Sequence, residues 1–253
     1  MNSTALRSTL VFSVALVILH IIGAVFPTIF TWGFHFLGFL PASFSIIYLL
    51  IMISGMVYIA KGYGEPVVTR LSLFMDRRPI PFLVIVSALF IVFAILLRVK
   101  LPLLGDSFLM VKRYGSAALG AQVLPASHQP LSQYFFYLFV KLLGSFNYPD
   151  MLDAFLVAEL LLGIGFIVIS YFTVVNIFEM ATYRCLSFLL LLALPYTELF
   201  FGYVEMYAVI LFVLALYILV GALYLRGKIH FAAVPIAFTL LVLAHYLNVL
   251  VFP

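Results

Sequence analysis

Asp106 stands in the run Leu-Pro-Leu-Leu-Gly-Asp-Ser-Phe, directly after a long apolar segment. A carboxylate there has two uses. It caps a helix by accepting a backbone N–H of the next turn, or it removes a proton from a hydroxyl as that oxygen forms a new bond. At helical spacing Asp106, Met110 and Arg113 share a face, so Arg113 either keeps Asp106 ionised or binds a phosphate beside it. Lys112 and Arg113 form an adjacent basic pair, suited to lipid headgroups or to a specific phosphate. His128, just before Gln-Pro-Leu, can donate to a phosphate oxygen. Glu205, in Phe-Gly-Tyr-Val-Glu-Met-Tyr, opens an apolar run. It either complements the positive end of a helix or acts as a carboxylate at a membrane edge. His245 and Glu159 lie inside apolar runs. His245 can bond a backbone carbonyl or a tyrosine of a neighbouring helix, and Glu159 needs a partner that the sequence does not name. No Asp-x-Asp or His-x-x-x-His pair occurs, so a divalent cation is possible with weak support and no cofactor is certain.

The elements that must hold these groups follow from composition. Of 253 residues 66% are hydrophobic and 9% charged, and mean hydropathy is +1.28. A soluble domain is about half apolar and about a quarter charged. Disorder, coiled coil and a water-soluble globule are excluded on that ground. No Asp, Glu, Lys or Arg occurs in Ser8–Ala60, Ile80–Leu97, Leu160–Phe178 or Met206–Leu225. These runs are apolar throughout rather than alternating, so they are helices and not barrel strands. The expected fold is all-α, a polytopic membrane bundle of about seven spans. They cover Ser8–Thr31, Phe36–Ala60, Ile80–Arg98, Met151–Val175, Tyr183–Phe201, Val204–Leu225 and Ile229–Phe252. The single cysteine, Cys185, makes no intrachain disulfide. Aromatics are interleaved with aliphatics rather than with Lys and Arg, which gives no sign of nucleic-acid binding.

Topology follows from charge. Lys61–Pro79 carries Lys61, Arg70, Arg77 and Arg78, and short basic loops stay in the cytoplasm. The N-terminus is then cytoplasmic, and Val99–Gln129 is external. Counting back from the basic turn Arg226–Lys228 places Ser145–Asp150 outside as well. Pro130–Leu143 therefore begins and ends on the external side. At about 14 residues it is too short to cross, and it reads as an interfacial helix with Tyr134 and Tyr137 at headgroup level. Ser107–Leu119 can form a short helix, weakened by Gly115. Arg98, at the outer end of its span, can snorkel to the headgroups. Two regions result: residues 1–79, with two helices and a basic loop, and 80–253, a core with an external loop at 99–149. Pro253 closely follows the last span without a polar tail, which reads as a fragment or a truncated frame.

The order of motifs is similar to that of a known family. An acidic loop residue is followed by His-Gln-Pro-Leu at a short helix, then Leu-Pro-Tyr-Thr-Glu and Phe-Gly-Tyr-Val-Glu-Met-Tyr. Leu-Arg-Gly-Lys and Ala-His-Tyr-Leu-Asn-Val-Leu-Val-Phe-Pro come next. This resembles the N-terminal half of the GT-C membrane glycosyltransferases, in the branch of protein O-mannosyltransferases and lipid A aminoarabinose transferases, over about Ile80–Pro253. The resemblance implies a polyprenyl-phosphate sugar donor, an acceptor of unknown identity, and transfer on the external face of a bacterial-type plasma (inner) membrane. It implies Asp106 as base, His128 against the donor phosphate and Glu205 as an acidic residue at a helix start. Ser107 stands where many relatives have a second acid, and Gln129 replaces the first proline of Pro-Pro-Leu. Two other classes compete. A transporter or lipid flippase is favoured by Glu159, and a noncatalytic membrane subunit by the missing second acid.

Overall fold

The computed structural model describes residues 3–26, 28, 38, 42–98, 109–112, 114, 129–144, 151–202 and 204–251. Asp106, Arg113 and His128 lie outside them. The described residues are mostly helical, with no strand. The chain divides into two compact units, Met1–Arg70 and Leu71–Pro253, where 79/80 was the boundary expected from sequence.

The first unit holds α1 (Ser3–Val25) and α2 (Ala42–Ala60), which pack on each other. After α2 the chain turns at Gly62, whose φ of 75° lies in the left-handed region that glycine adopts without steric cost. The next helix, α3 (Gly64–Arg77), takes up most of what the sequence suggested was a basic loop. Glu65 lies in its first turn and Arg77 in its last, the arrangement that complements the helix dipole. Leu71, Phe74 and Met75 recur at three- and four-residue spacing, which gives its second half an apolar face.

The second unit is built on α4 (Pro79–Leu96), α5 (Pro130–Gly144), α6 (Met151–Ile177), α7 (Ala181–Ala193), α8 (Tyr207–Leu225) and α9 (Ala233–Ala244). Short 3-10 segments, Pro195–Phe200 and Tyr246–Val251, follow α7 and α9. Helix α6 is central. It packs on α4, α5, α7, α8 and the first 3-10 segment, while α9 packs on α8 and α5. Two glycines permit this density. A Cβ on Gly163 would overlap the Phe90 ring of α4 and lie 3.0 Å from Phe200 Cβ, and one on Gly165 would lie 2.6 Å from the Phe212 ring of α8. Two polar side chains of α6 bond their own helix, Thr173 Oγ1 donating to Ile169 O at 2.8 Å and Asn176 Nδ2 to Phe172 O at 2.7 Å. Lipid demands such internal satisfaction.

Three helices among the described residues are long and apolar enough to cross a membrane: Pro79–Leu96, Leu152–Ile177 and Tyr207–Leu225. Val11–Val25, Ala181–Ala193 and Ala233–Ala244 are apolar but shorter. Two of the expected continuous spans are interrupted. Tyr183–Phe201 breaks at Leu194, whose ψ is 145°, because the residue before a proline is driven out of the helical region. Ile229–Phe252 breaks at His245, with φ −160° and ψ 127°.

The C-terminus of α6 gathers cations. Arg184 Nε donates to Phe178 O at 2.8 Å, Arg226 Nη2 to Ile177 O at 3.1 Å, and Lys228 Nζ to Asn176 Oδ1 at 2.8 Å. Arg184 also pairs with Asp76 at 3.2 Å. Cations there satisfy terminal carbonyls and the negative end of the helix dipole.

Candidate functional site

The N-terminal half of α6 carries the other notable constellation. Phe155, Ala158 and Leu162 form one buried cluster with Phe136 and Val140 of α5, Val204 and Met206 before α8, and Leu241 and Ala244 at the end of α9. Phe136 stacks on Phe155 with ring centroids 4.8 Å apart, and Tyr114 meets Phe155 edge-on at 5.6 Å. Within this apolar setting lies Glu159, with none of its surface exposed. It is about 12 Å along α6 from Met151 at a rise of about 1.5 Å per residue. No side chain among the described residues hydrogen-bonds either carboxylate oxygen. The Gly202 backbone amide and the Glu205 carboxylate act on it electrostatically.

Glu205 comes close because of the turn before α8. Gly202, with φ 79°, reverses the chain and sits against Leu156 of α6, where an added Cβ would lie 3.2 Å from Leu156 Cδ1. Glu205 itself is 8% exposed. The structure thus brings together two of the acids singled out in sequence, Glu159 and Glu205.

His245 forms the break that ends α9 rather than a turn within a span. Its Nδ1 accepts the Leu247 N–H at 3.2 Å, and its ring stacks on Tyr246. Two carbonyls at the end of α9 accept from side chains, Leu241 O in addition to its bond from the His245 N–H. Asn248 Nδ2 donates to Leu241 O at 2.8 Å, and Ser132 Oγ of α5 donates to Ala244 O at 2.9 Å. At the other break Leu194 O accepts the Thr197 amide and, at 2.8 Å, the Thr197 hydroxyl. Irregular backbone at membrane depth needs such partners.

Helix α5 covers the segment expected to be too short to cross. Ser132, Gln133, Phe136 and Val140 are buried, while Tyr134, Leu138, Lys141 and Leu142 are exposed. One face is therefore packed, and the other is free for lipid or headgroups. Lys112 is exposed in the helical stretch 109–112, between buried Met110 and Tyr114. Tyr114 Oη donates to Gln133 O at 3.2 Å, which ties this stretch to the start of α5. Arg98 has a partner that the sequence did not name. It pairs with Asp153 at 2.6 Å.

Sequence reasoning missed Ser132 and Asn248 and placed a turn near Gly202 without its packing role. Each is a small polar or glycine residue within an apolar run, a signal that marks a helix end or a close approach but does not name the partner. A cavity of about 310 Å³ also opens beside α4. It is lined by Phe90, Phe93, Leu97, Phe166, Leu192 and Phe201, and is wide enough for part of a hydrocarbon chain. Among the described residues no three His, Cys, Asp or Glu groups are placed to hold a metal ion. No family model, curated protein or solved structure matches this chain.

Proposed function

We propose that the chain is a membrane glycosyltransferase, or the N-terminal part of one, that takes its sugar from a polyprenyl phosphate. The observation that carries the reading is α5. This helix of 15 residues packs by one face on α6 and on the end of α9 that breaks at His245, in the same buried cluster as Val204 and Met206, which flank Glu205. Such an arrangement suits a substrate whose head is polar and whose tail stays in lipid. The apolar cavity beside α4 suits the isoprenoid tail.

In this reading Lys112, Arg113 and His128 hold the donor phosphate, and Asp106 is the base. The acceptor hydroxyl attacks the anomeric carbon as its proton passes to Asp106. The bond from that carbon to the phosphate oxygen breaks, and its electron pair stays on the phosphate, where fixed cations stabilise it. Attack opposite the leaving group inverts the anomeric centre. Glu205 binds the acceptor beside this centre. The chemistry takes place on the external face of a plasma membrane, with the N-terminus in the cytoplasm.

The test is saturable labelling of the full chain in nanodiscs by a photoreactive polyprenyl-phosphate sugar. Labelling is expected to be competed by unlabelled donor, lost in a Lys112→Ala/Arg113→Ala/His128→Ala variant and kept in Asp106→Asn. Absence of saturable labelling across a panel of sugars overturns the reading. One observation favours transport instead: Glu159 is an ionisable group buried within a span, the usual place of a coupling site. Substrate flux in proteoliposomes that needs Glu159 but not Asp106 would decide for it.

A further inference from the structure

Three cations close on the C-terminus of α6, a helix long and apolar enough to cross a membrane. Their partners are consecutive residues. Lys228 Nζ donates to Asn176 Oδ1 at 2.8 Å, Arg226 Nη2 to Ile177 O at 3.1 Å and Arg184 Nε to Phe178 O at 2.8 Å. Arg184 Nη1 also donates to Asp76 Oδ2 at 3.2 Å, and Arg77 and Arg78 follow Asp76 in the chain. Carbonyl and amide acceptors hold a cation in place but do not cancel its charge. Among the described residues Asp76 is the acid that pairs with this group, through Arg184. Glu179 is exposed in the turn after α6, and the helix end adds about half a negative charge. Five cations against two acids and that half charge leave the surface positive. Arg77, Arg78, Arg226 and Lys228 are all exposed.

The rim of this surface is apolar. Ile80, Met180, Tyr183 and Leu225 lie close to these cations in sequence and are exposed, Leu225 at 84%. We propose that this end of the bundle is a binding site for an anionic phospholipid. Arg226 and Lys228 take the headgroup phosphate, Arg77 and Arg78 add to its attraction, and the acyl chains run along Met180 and Leu225. Arg226 and Lys228 each spend one donor on α6 and keep others for the phosphate. A free phosphate or a soluble polyanion uses only the cations and leaves the apolar rim bare, whereas a lipid covers both. Basic pockets between spanning helices on the cytoplasmic side take such headgroups, and the charges of the loops assign this end to the cytoplasm. The site goes beyond sugar transfer. It lies at the opposite end of α6 from the cluster around Phe155 and Glu159, and it uses none of the residues assigned to the donor.

The experiment uses the full chain in phosphatidylcholine nanodiscs that contain a photoreactive phosphatidylglycerol, at fixed ionic strength. Wild type is expected to label saturably, with cross-links in residues 77–80, 177–184 or 225–231. Unlabelled phosphatidylglycerol should compete, and inorganic phosphate should not. Arg226→Gln/Lys228→Gln and Arg77→Gln/Arg78→Gln should each weaken the labelling by about tenfold or more. Lys61→Gln/Arg70→Gln removes the same net charge from exposed positions earlier in the chain and should leave the labelling near wild type. Equal loss in all three variants overturns the site in favour of diffuse, salt-screened attraction. Wild-type labelling in both site variants, cross-links confined to other segments, or competition by inorganic phosphate also overturns it. If Arg226→Gln/Lys228→Gln does not fold, Arg77→Gln/Arg78→Gln decides alone, since those side chains make no ion pair among the described residues. Donor labelling is read separately in the Lys112→Ala/Arg113→Ala/His128→Ala variant, so failure here leaves the transferase reading standing.

Discussion

At the scale of single residues, the polar side chains that stitch the interrupted end of the bundle should be measurable one at a time. Ser132 Oγ is fully buried and bonds Ala244 O. Ser132→Ala removes the donor and leaves that carbonyl unpaired where α9 breaks. The expected loss is about 1–3 kcal/mol, the cost of a buried group left unsatisfied, read as a lowered Tm in nanodiscs. An unchanged Tm would mean that Ala244 O finds another donor. Arg98 and Asp153 make a contrasting case. Their side chains are 25% and 34% exposed, so solvent screens the pair, and a double-mutant cycle with Arg98→Gln and Asp153→Asn should give a coupling of only about 0.2–1 kcal/mol. A coupling well above that range would show that the pair is shielded by lipid. For the proposed chemistry, Asp106→Asn should abolish sugar transfer while donor labelling persists. Retained turnover would remove Asp106 from the role of base.

At the scale of elements, α6 is the helix against which others are placed, and its glycines set the spacing. Gly165 leaves room for the Phe212 ring of α8, where a Cβ would come within 2.6 Å. Gly165→Val should therefore destabilise the α6–α8 contact by about 1–3 kcal/mol, the usual cost of overpacking, and adding Phe212→Ala should recover part of that loss. If the double variant is no more stable than the single one, the clash is not with Phe212. The two breaks differ in origin. The one at Leu194 is written into the backbone by Pro195. The one at His245 has no proline and depends on Asn248, Ser132 and the Leu247 amide for its partners. Asn248→Leu should loosen the end of α9, seen as faster amide exchange at residues 241–248, and leave the Leu194 break unaffected.

At the scale of the whole molecule, charge asymmetry predicts sidedness. Arg184, Arg226 and Lys228 converge on the C-terminus of α6, while Lys141 is on α5, which packs on the N-terminal part of the same helix through Phe136 and Phe155. If α6 crosses the membrane, these groups face opposite compartments. The sole cysteine, Cys185, is buried, so Cys185→Ser gives a clean background. Lys141→Cys should react with an impermeant maleimide on intact cells, and Lys228→Cys only after permeabilisation. Labelling of both from one side would refute the crossing.

Composition alone determined that the chain is helical and adapted to lipid. Two-thirds apolar content without alternation leaves the backbone no other way to satisfy its hydrogen bonds. The bounds of Pro130–Leu143 likewise determined a short helix, seen as Pro130–Gly144. Tertiary structure decided the rest, because it depends on which residues meet across long separations. Local patterning reads as one span through His245, since only Ser132, far away in sequence, reveals which carbonyl is released. The basic segment after Ala60 reads as a loop until Met75 has a core to enter. Glu159 and Glu205 are two isolated acids in sequence. The left-handed turn at Gly202 brings them within electrostatic reach of each other, a meeting that neither local run of sequence contains.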